Sequence, residues 1–442
     1  MKKKIAVIGA GIAGLSAALN LAENGFEVHL FEQKSSIGGR VSSIYDNTAN
    51  EEIDNGQHLL IGAYSNFLNF LKKIKSDKFI EAQKSLNVNF IDALGADDSL
   101  DTSMFFGKLG TIFGFIKLKN IDLNDKINLF IFLIKIQFNL VNFNNQNCLD
   151  FLKNNGQSNN IIKRFWEPLI LAILNNCPEN SSAELLVISL KKAFFSNSEN
   201  SKLIFPTNDL NTLLQNFIPF FENFDGKLHL NNKVTNINFA NNHIESIQIN
   251  DTELSFDYYI FAVTPNVLIK LLPKEILESD FNYLQNFKYS PIISVYFWFD
   301  KPVFEQKFAA TLNTKTQWIF NRRKILSNKN YNFAESISIT ISNAEQLKNL
   351  SNSEISNIIF EELKQLLKIP SDVKLLHSRV IKELMATISI SSDVEKIRPN
   401  PETNYTNLFL AGDWTNTKLP ATIEGACLSG IIAGNKIINL FR

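Results

Sequence analysis

Apolar and polar positions along the chain change period several times, and each change marks an element. Residues 5–8 (IAVI) are a short continuous apolar run, the pattern of a strand buried on both faces. From residue 12 the period becomes helical: Leu15, Ala18, Leu19 and Ala22 share one face, and Gly25 suits a helix stop. Residues 26–31 predict a second strand. A further helix starts near Ser65, carrying Phe67, Leu68, Phe70 and Leu71. Residues 127–141 (INLFIFLIKIQFNLV) and 109–118 (LGTIFGFIKL) are strongly apolar. The first is too short, and too interrupted by Lys135 and Gln137, to span a bilayer. Both read either as a domain core or as a surface that dips into a membrane face. Residues 210–221 predict an amphipathic helix, 227–230 a strand, and 233–239 with 243–249 a hairpin turning at Asn241 and Asn242. Residues 257–263 and 292–299 read as buried strands. Residues 336–341 (SISITI) alternate strictly, which predicts a half-exposed strand. Arg322 and Arg323 read as a solvated turn. A last strand, 407–410, precedes a C-terminal helix.

The first candidate chemistry lies in the turn after residue 8. Gly9, Gly11 and Gly14 give the G-x-G-x-x-G spacing between a strand and a helix. Such a loop allows a tight turn, close approach of a pyrophosphate and close helix packing, with the helix N-terminus facing the phosphates. Glu32 ends the second strand about 20 residues on, where a carboxylate can accept both ribose hydroxyls. The whole unit predicts a dinucleotide site formed by Gly9, Gly11, Ile12, Ala13, Gly14 and Glu32.

A second glycine pair then follows in QKSSIGGR, with Gly39 and Arg40. This segment resembles the FAD-dependent amine oxidase and phytoene desaturase superfamily. The resemblance implies a loop along the FAD diphosphate, with Arg40 by the phosphates or the flavin. Residues 51–64 (EEIDNGQHLLIGAY) resemble the hydroxysqualene dehydroxylases, also called squalene-associated FAD-dependent desaturases, of hopanoid biosynthesis. In that family the Gly56, Gln57 and His58 stretch lies beside the flavin ring. His58 is one of five histidines; it reads as a proton shuttle or as a structural histidine holding the loop. Gln57 can bond a flavin carbonyl or a substrate oxygen. Asp54 reads as a turn cap. Residues 164–175 (RFWEPLILAILN) resemble the same family, and Trp166, Phe194 and Phe195 read either as a terpenoid tunnel or as core. Val234 matches a residue that holds the adenine through its backbone. Residues 411–415 (AGDWT) and 420–430 (PATIEGACLSG) complete the resemblance. It implies that Gly412 and Asp413 meet the diphosphate and ribityl chain, and that Thr422 and Ile423 present a helix N-terminus to the pyrimidine end of the flavin. Where the family has a basic K-R-A-T patch, this chain has Leu384 and Met385, so a charge-based substrate contact there is not expected.

Composition narrows the classes. In 442 residues, 44 basic and 44 acidic side chains cancel, so no nucleic-acid partner is indicated. The three cysteines have no metal spacing and no redox pairing, and Cys427 reads as a small residue on a packed helix. A cytoplasmic location is the expectation, with a peripheral place on the inner membrane face compatible. The 37 phenylalanines suit either a biased genome or a hydrocarbon substrate.

The expected fold class is α/β: a discontinuous Rossmann-like FAD-binding domain with an α+β substrate-binding domain, amine oxidase-like. The expected division is 1–85, 205–265 and 395–442 for FAD, and 86–204 and 266–394 for substrate. The resemblance implies an FAD enzyme that reductively dehydroxylates hydroxysqualene to squalene. Its partners would be a hydrophobic isoprenoid substrate and an external electron donor, reduced nicotinamide or a reductase. A carotenoid or phytoene-type desaturase, a flavin amine oxidase and a non-enzymatic isoprenoid carrier stay open as alternatives. No metal is expected.

Overall fold

Short apolar runs from three distant parts of the chain assemble into one parallel sheet. In a computed structural model, which describes residues 2–94, 97–102, 121–327 and 331–442, the strand order is Lys227–His229, Glu27–Phe31, Lys4–Ile8, Tyr258–Phe261 and Leu408–Leu410. All neighbours are parallel. Residues 5–8 of the central strand are all apolar because both faces are covered: Ile5 and Val7 pack in the core that holds the helices 12–23 and 423–439, and Ala6 and Ile8 in the core that holds the hairpin 234–249. The helix Ile12–Glu23 follows the central strand, and the C-terminal helix Ile423–Asn439 lies directly on that helix. Their backbones approach so closely that a Cβ at Gly430 would sit 2.0 Å from the Ala13 carbonyl oxygen. Cys427 is fully buried in this seam and accepts from the Ser16 hydroxyl at 3.2 Å. Burial pushes its thiol up to about 12, so it stays protonated. The predicted hairpin forms, Val234–Ala240 against His243–Ile249.

A second sheet has seven strands, ordered Leu375–Ile388, Tyr289–Phe299, Glu335–Ser342, Trp318–Asn321, Phe308–Leu312, Asn87–Asp92 and Asp98–Asp101. Its strands come from both stretches expected to build the substrate domain. One face packs on the helix Asn352–Leu367, whose Ile355, Ile359 and Leu363 meet Ile293, Val295, Phe297, Ile337, Ile339 and Ile341. Beside the sheet, the helices Leu123–Gln137, Cys148–Asn154, Glu167–Leu174 and Ala183–Phe194 bury Phe132, Phe151, Trp166, Phe194 and Phe195 in one core. Trp166 is fully buried and donates to Gln157 at 2.9 Å, so it is core and no tunnel wall.

Four expectations change. The strand at 336–341 is not half-exposed: Glu335–Ser342 is buried on both faces apart from Thr340, which is partly so. Alternation identified which residues share a face, but the polar face meets protein instead of water. Arg322 and Arg323 are no solvated turn. Arg322 is 3 % exposed and lies 3.1 Å from the Glu51 carboxylate; Arg323 donates to the same carboxylate at 2.8 Å, and Trp298 donates its indole N–H to it. The helix expected at 210–221 is two short helices, Leu210–Leu214 and Phe217–Glu222. Pro219 has no N–H for the carbonyl of Gln215 and its ring crowds that carbonyl, so the helix breaks there. The apolar run at 127–141 starts its helix earlier and buries Leu129, Phe132, Leu133 and Ile136, while Leu123, Ile127 and Ile131 are exposed along one side. The apolar run at 109–118 lies outside the described residues. Among the described residues no helix is long and apolar enough to cross a membrane.

Burial alone would raise the Glu51 carboxyl, but the Arg323 hydrogen bond and the two guanidinium charges outweigh it and hold the group below its ordinary 4.5. Its stabilisation is therefore present above pH 4.5 and lost as pH falls through the lower folded value. Replacing Glu51 by Ala leaves Arg322 buried without its anion and should cost about 3–5 kcal/mol in urea unfolding at neutral pH.

Candidate active site

The end of the first strand builds the phosphate-facing half of a cleft. Gly9 turns the chain with φ +99°, a conformation that L side chains rarely adopt. Gly14 is forced by contact, since a Cβ there would lie 1.8 Å from the Gly9 carbonyl oxygen. Gly11 is different. It precedes the helix as its N-cap, no side chain caps that helix, no acid stands in its first turn, and a Cβ at Gly11 would meet nothing within 4 Å. Ile12 and Ala13 open the helix beneath this space. The second glycine loop lies alongside: Gly38 donates to Ala10 at 2.8 Å, and a Cβ at Gly39 would fall 3.1 Å from the Gly11 Cα. Glu32 is buried, and its two oxygens accept from the Ala10 and Lys34 amides, each at 2.9 Å. A carboxylate has about four acceptor sites, so two lone pairs remain for ribose hydroxyls. Asn232 donates to the Glu32 carbonyl at 2.8 Å and Asn231 to that of Lys34 at 3.0 Å, which ties the segment just before Val234 to the end of the Glu32 strand.

The C-terminal segment closes the other half. Arg40 donates to Asp413 at 2.7 Å and to the Ala386 carbonyl at 2.8 Å. Asp413 is 3 % exposed. Gly412, on the strand end, donates to Ser429 of the C-terminal helix at 2.8 Å. Thr422 caps that helix by accepting from Gly425 at 3.3 Å, and Ile423 is its first residue. Two further residues hold this geometry, and neither was singled out in the sequence. Arg398, with a fully buried side chain, binds Glu395 and the carbonyls of Leu419, Asp413 and Thr415. Glu424 accepts from the Phe67 amide at 3.0 Å and the Asn66 side chain at 2.7 Å, capping the helix Ser65–Lys73 from another element. A glutamate inside an otherwise small, apolar helix segment was the available signal for Glu424. For Arg398 the sequence offered only Glu395 three residues earlier, because its distant partners are mostly backbone carbonyls.

The 54–59 loop lies between these halves. Asp54 is buried and accepts from Ser43 at 2.7 Å and the Leu210 amide at 2.9 Å. Its carboxylate therefore ties the strand Ser43–Asp46 to the start of the helix Leu210–Leu214 and does not cap its own turn; burial pushes it up to about 6. Asn55 donates to the Arg40 carbonyl at 2.8 Å, and the Tyr296 hydroxyl to the Asp54 carbonyl at 2.8 Å. Gly56, Gln57 and His58 are partly accessible. Loss of hydration in the cleft drives the His58 imidazole down to about 4; the Arg40 charge adds to this, and a hydrogen bond with the Arg40 backbone opposes it. His58 is therefore neutral at pH 7. Among the described residues no group of three His, Cys, Asp or Glu side chains could hold a metal.

An uncapped helix N-terminus, open space over Gly11, a two-glycine floor, free acceptor capacity on Glu32 and an arginine at the far edge fit a flavin dinucleotide. The sequence model of the family described as flavin containing amine oxidoreductase matches residues 12–438. The chain belongs to this family. As a flavin-containing amine oxidoreductase family member it is an FAD-dependent oxidoreductase, with an amine oxidase-like α/β fold. It is similar to a hydroxysqualene dehydroxylase from Sinorhizobium fredii, 28% identical over 437 residues covering 97% of each chain. It is also similar to one from Rhodopseudomonas palustris, 25% identical over 99% of each. A 15-cis-phytoene desaturase from Solanum lycopersicum is 24% identical over 98% of this chain and 77% of its own. Among solved structures, an oxidoreductase from Methanosarcina mazei superimposes with a TM-score of 0.74, covering 99% of this chain and 100% of its own at 17% identity. A putrescine oxidase bound to putrescine gives 0.71, with 99% of each chain covered at 14% identity.

The His58 shift has a directional consequence. A base held below its ordinary value by burial contributes nothing above pH 6.5, where it is neutral both folded and unfolded, and destabilises the folded state increasingly as pH falls from 6.5 to about 4. The imidazole resonances of His58, assigned with a His58→Gln control, should stay at neutral positions between pH 8 and pH 5.5. A midpoint near 6.5 would show that the cleft does not desolvate it.

Proposed function

We propose that the protein reductively removes the hydroxyl group of a C30 isoprenoid alcohol, converting hydroxysqualene to squalene. The observation that carries this reading is the near end-to-end similarity to hydroxysqualene dehydroxylases from three bacteria, at 24–28% identity. The reading uses the chain division 1–85, 205–265 and 395–442 against 86–204 and 266–394; in its support, the five parallel strands fall in the first set and the strands of the seven-stranded sheet in the second.

Bound FAD, in its reduced form, supplies the hydride equivalent for such a reaction. The chain's residues do the rest. The glycine floor, Glu32, Val234, Gly412, Asp413, Thr422 and Ile423 hold and orient the cofactor, with Arg40 neutralising charge at its phosphates or ring. Gln57 faces the ring or the substrate oxygen. His58, neutral and bonded to the Arg40 backbone, keeps one ring nitrogen as an acceptor; it can hold the substrate hydroxyl hydrogen, and it becomes an acid only after taking a proton. The departing oxygen needs a proton, drawn from solvent through His58, to leave as water. Electrons enter from outside the chain, from reduced nicotinamide or a reductase. The exposed Leu123, Ile127 and Ile131 give a face for peripheral contact with the bilayer that holds such a substrate.

A desaturase acting on a hydrocarbon is the second reading, favoured by the similarity to phytoene desaturases. Photoreduced holoenzyme, mixed without oxygen with hydroxysqualene in phospholipid vesicles, should sediment with the vesicles, reoxidise and yield squalene. Flavin that stays reduced over hydroxysqualene, while oxidised enzyme desaturates phytoene, would establish the second reading instead.

A further inference from the structure

The strand Leu375–Ile388 stands at one end of the seven-stranded sheet and pairs with Tyr289–Phe299. Its register slips beside the Arg40 contact. Glu383 lies across from Ile292 and Thr387 across from Ser290, so three residues, 384–386, oppose the single Pro291. Pro291 has no N–H to offer them. The surplus residues bulge out of the ladder, and a bulge re-aims the side chains it carries.

Three polar groups pin this bulge. Arg40, which also holds Asp413, donates to the Ala386 carbonyl at 2.8 Å. The buried Asn175 donates to the Thr387 hydroxyl at 2.8 Å. The side-chain amide of Asn266 points at the Met385 sulfur, 3.5 Å away. Asn266 comes after the strand Tyr258–Phe261, at the same end of the parallel sheet where Gly9 and Gly412 follow their own strands. Ligands of open parallel sheets lie at that end. Held in this way, Leu384 is 49 % exposed and Met385 46 %. An apolar side chain exposed singly is ordinary. Two adjacent ones, on a bulge fixed to the cofactor cleft by Arg40, give an apolar ligand a surface to lie on.

We propose that Leu384 and Met385 form an apolar lip beside the flavin, which carries one hydrocarbon arm of the substrate and thereby selects for it. The proposal rests on the dehydroxylase reading and adds specificity-determining residues to it. Hydroxysqualene has its hydroxyl near the middle of a C30 chain, so a hydrocarbon arm leaves the reacting carbon on either side. An arm laid on the lip takes both side chains out of water, and the unbranched Met385 adapts to its shape. No bond to either residue forms or breaks. Through the Ala386 carbonyl, the guanidinium that meets the cofactor also sets where this arm lies.

The test follows flavin reoxidation in photoreduced holoenzyme mixed without oxygen with hydroxysqualene in detergent micelles of fixed composition. In Leu384→Ser/Met385→Ser the half-saturating concentration should rise roughly tenfold while the limiting rate stays within about twofold of wild type. Leu384→Ile/Met385→Leu, which keeps the lip apolar, should retain the wild-type half-saturating concentration. Flavin content reports folding; if the serine pair lowers it, Met385→Ser alone is read in the same way. An unchanged half-saturating concentration in the serine variant, a fall in the limiting rate in its place, or an equal loss in the apolar variant overturns the lip. Wild-type flavin that hydroxysqualene leaves reduced refutes the functional reading and the lip together. Wild-type turnover with an unaltered serine variant refutes the lip alone.

Discussion

The Arg40–Asp413 ion pair joins the two ends of the flavin cleft, and the rest of the site is arranged so that it can form. The two residues are 373 positions apart in the chain and 2.7 Å apart in space. Arg40 faces the buried Asp413 side chain, and Arg398 fixes the carbonyls of Asp413 and Thr415. The energy of a half-buried pair of this kind is modest, since desolvation offsets much of the attraction. Its importance is geometric. It sets where the segment after the last parallel strand lies relative to the second glycine loop.

Around that pair, two sheets carry out different tasks. The parallel sheet has helices packed so tightly that glycines are required where Gly430 meets Ala13 and Gly14 meets Gly9. That rigidity suits a cofactor held by backbone groups. The seven-stranded sheet is apolar on its helix side and carries hydroxyls and aromatic rings on the other, where Tyr296 and Trp298 pack with Ala49 and Ile53.

The parts of this arrangement visible in the sequence were those in which chemistry is compressed into neighbouring residues. The G-x-G-x-x-G turn, Glu32 at its strand end and the A-G-D segment each announce backbone geometry locally, and the strand–helix–strand unit appears as its hydrophobic periods indicated. What stayed hidden depends on long-range partners. Arg322 and Arg323 look like a solvated pair until Glu51 is folded against them. The SISITI alternation told which side chains share a face and said nothing of what that face meets. Glu424 and Arg398 act on backbone groups of other elements, and backbone has no sequence signature. His58 was visible as a candidate, but its lowered basicity comes from the cleft around it.

The central claim is that residues 40 and 413 act as one unit on one flavin. A double-mutant cycle on FAD affinity, with Arg40→Met, Asp413→Asn and the pair, tests it most directly. Coupling of at least about 1 kcal/mol between the two changes is expected for groups in contact at the cofactor. Effects that add within about 0.3–0.5 kcal/mol would show that the two segments bind independently, and would contradict the account.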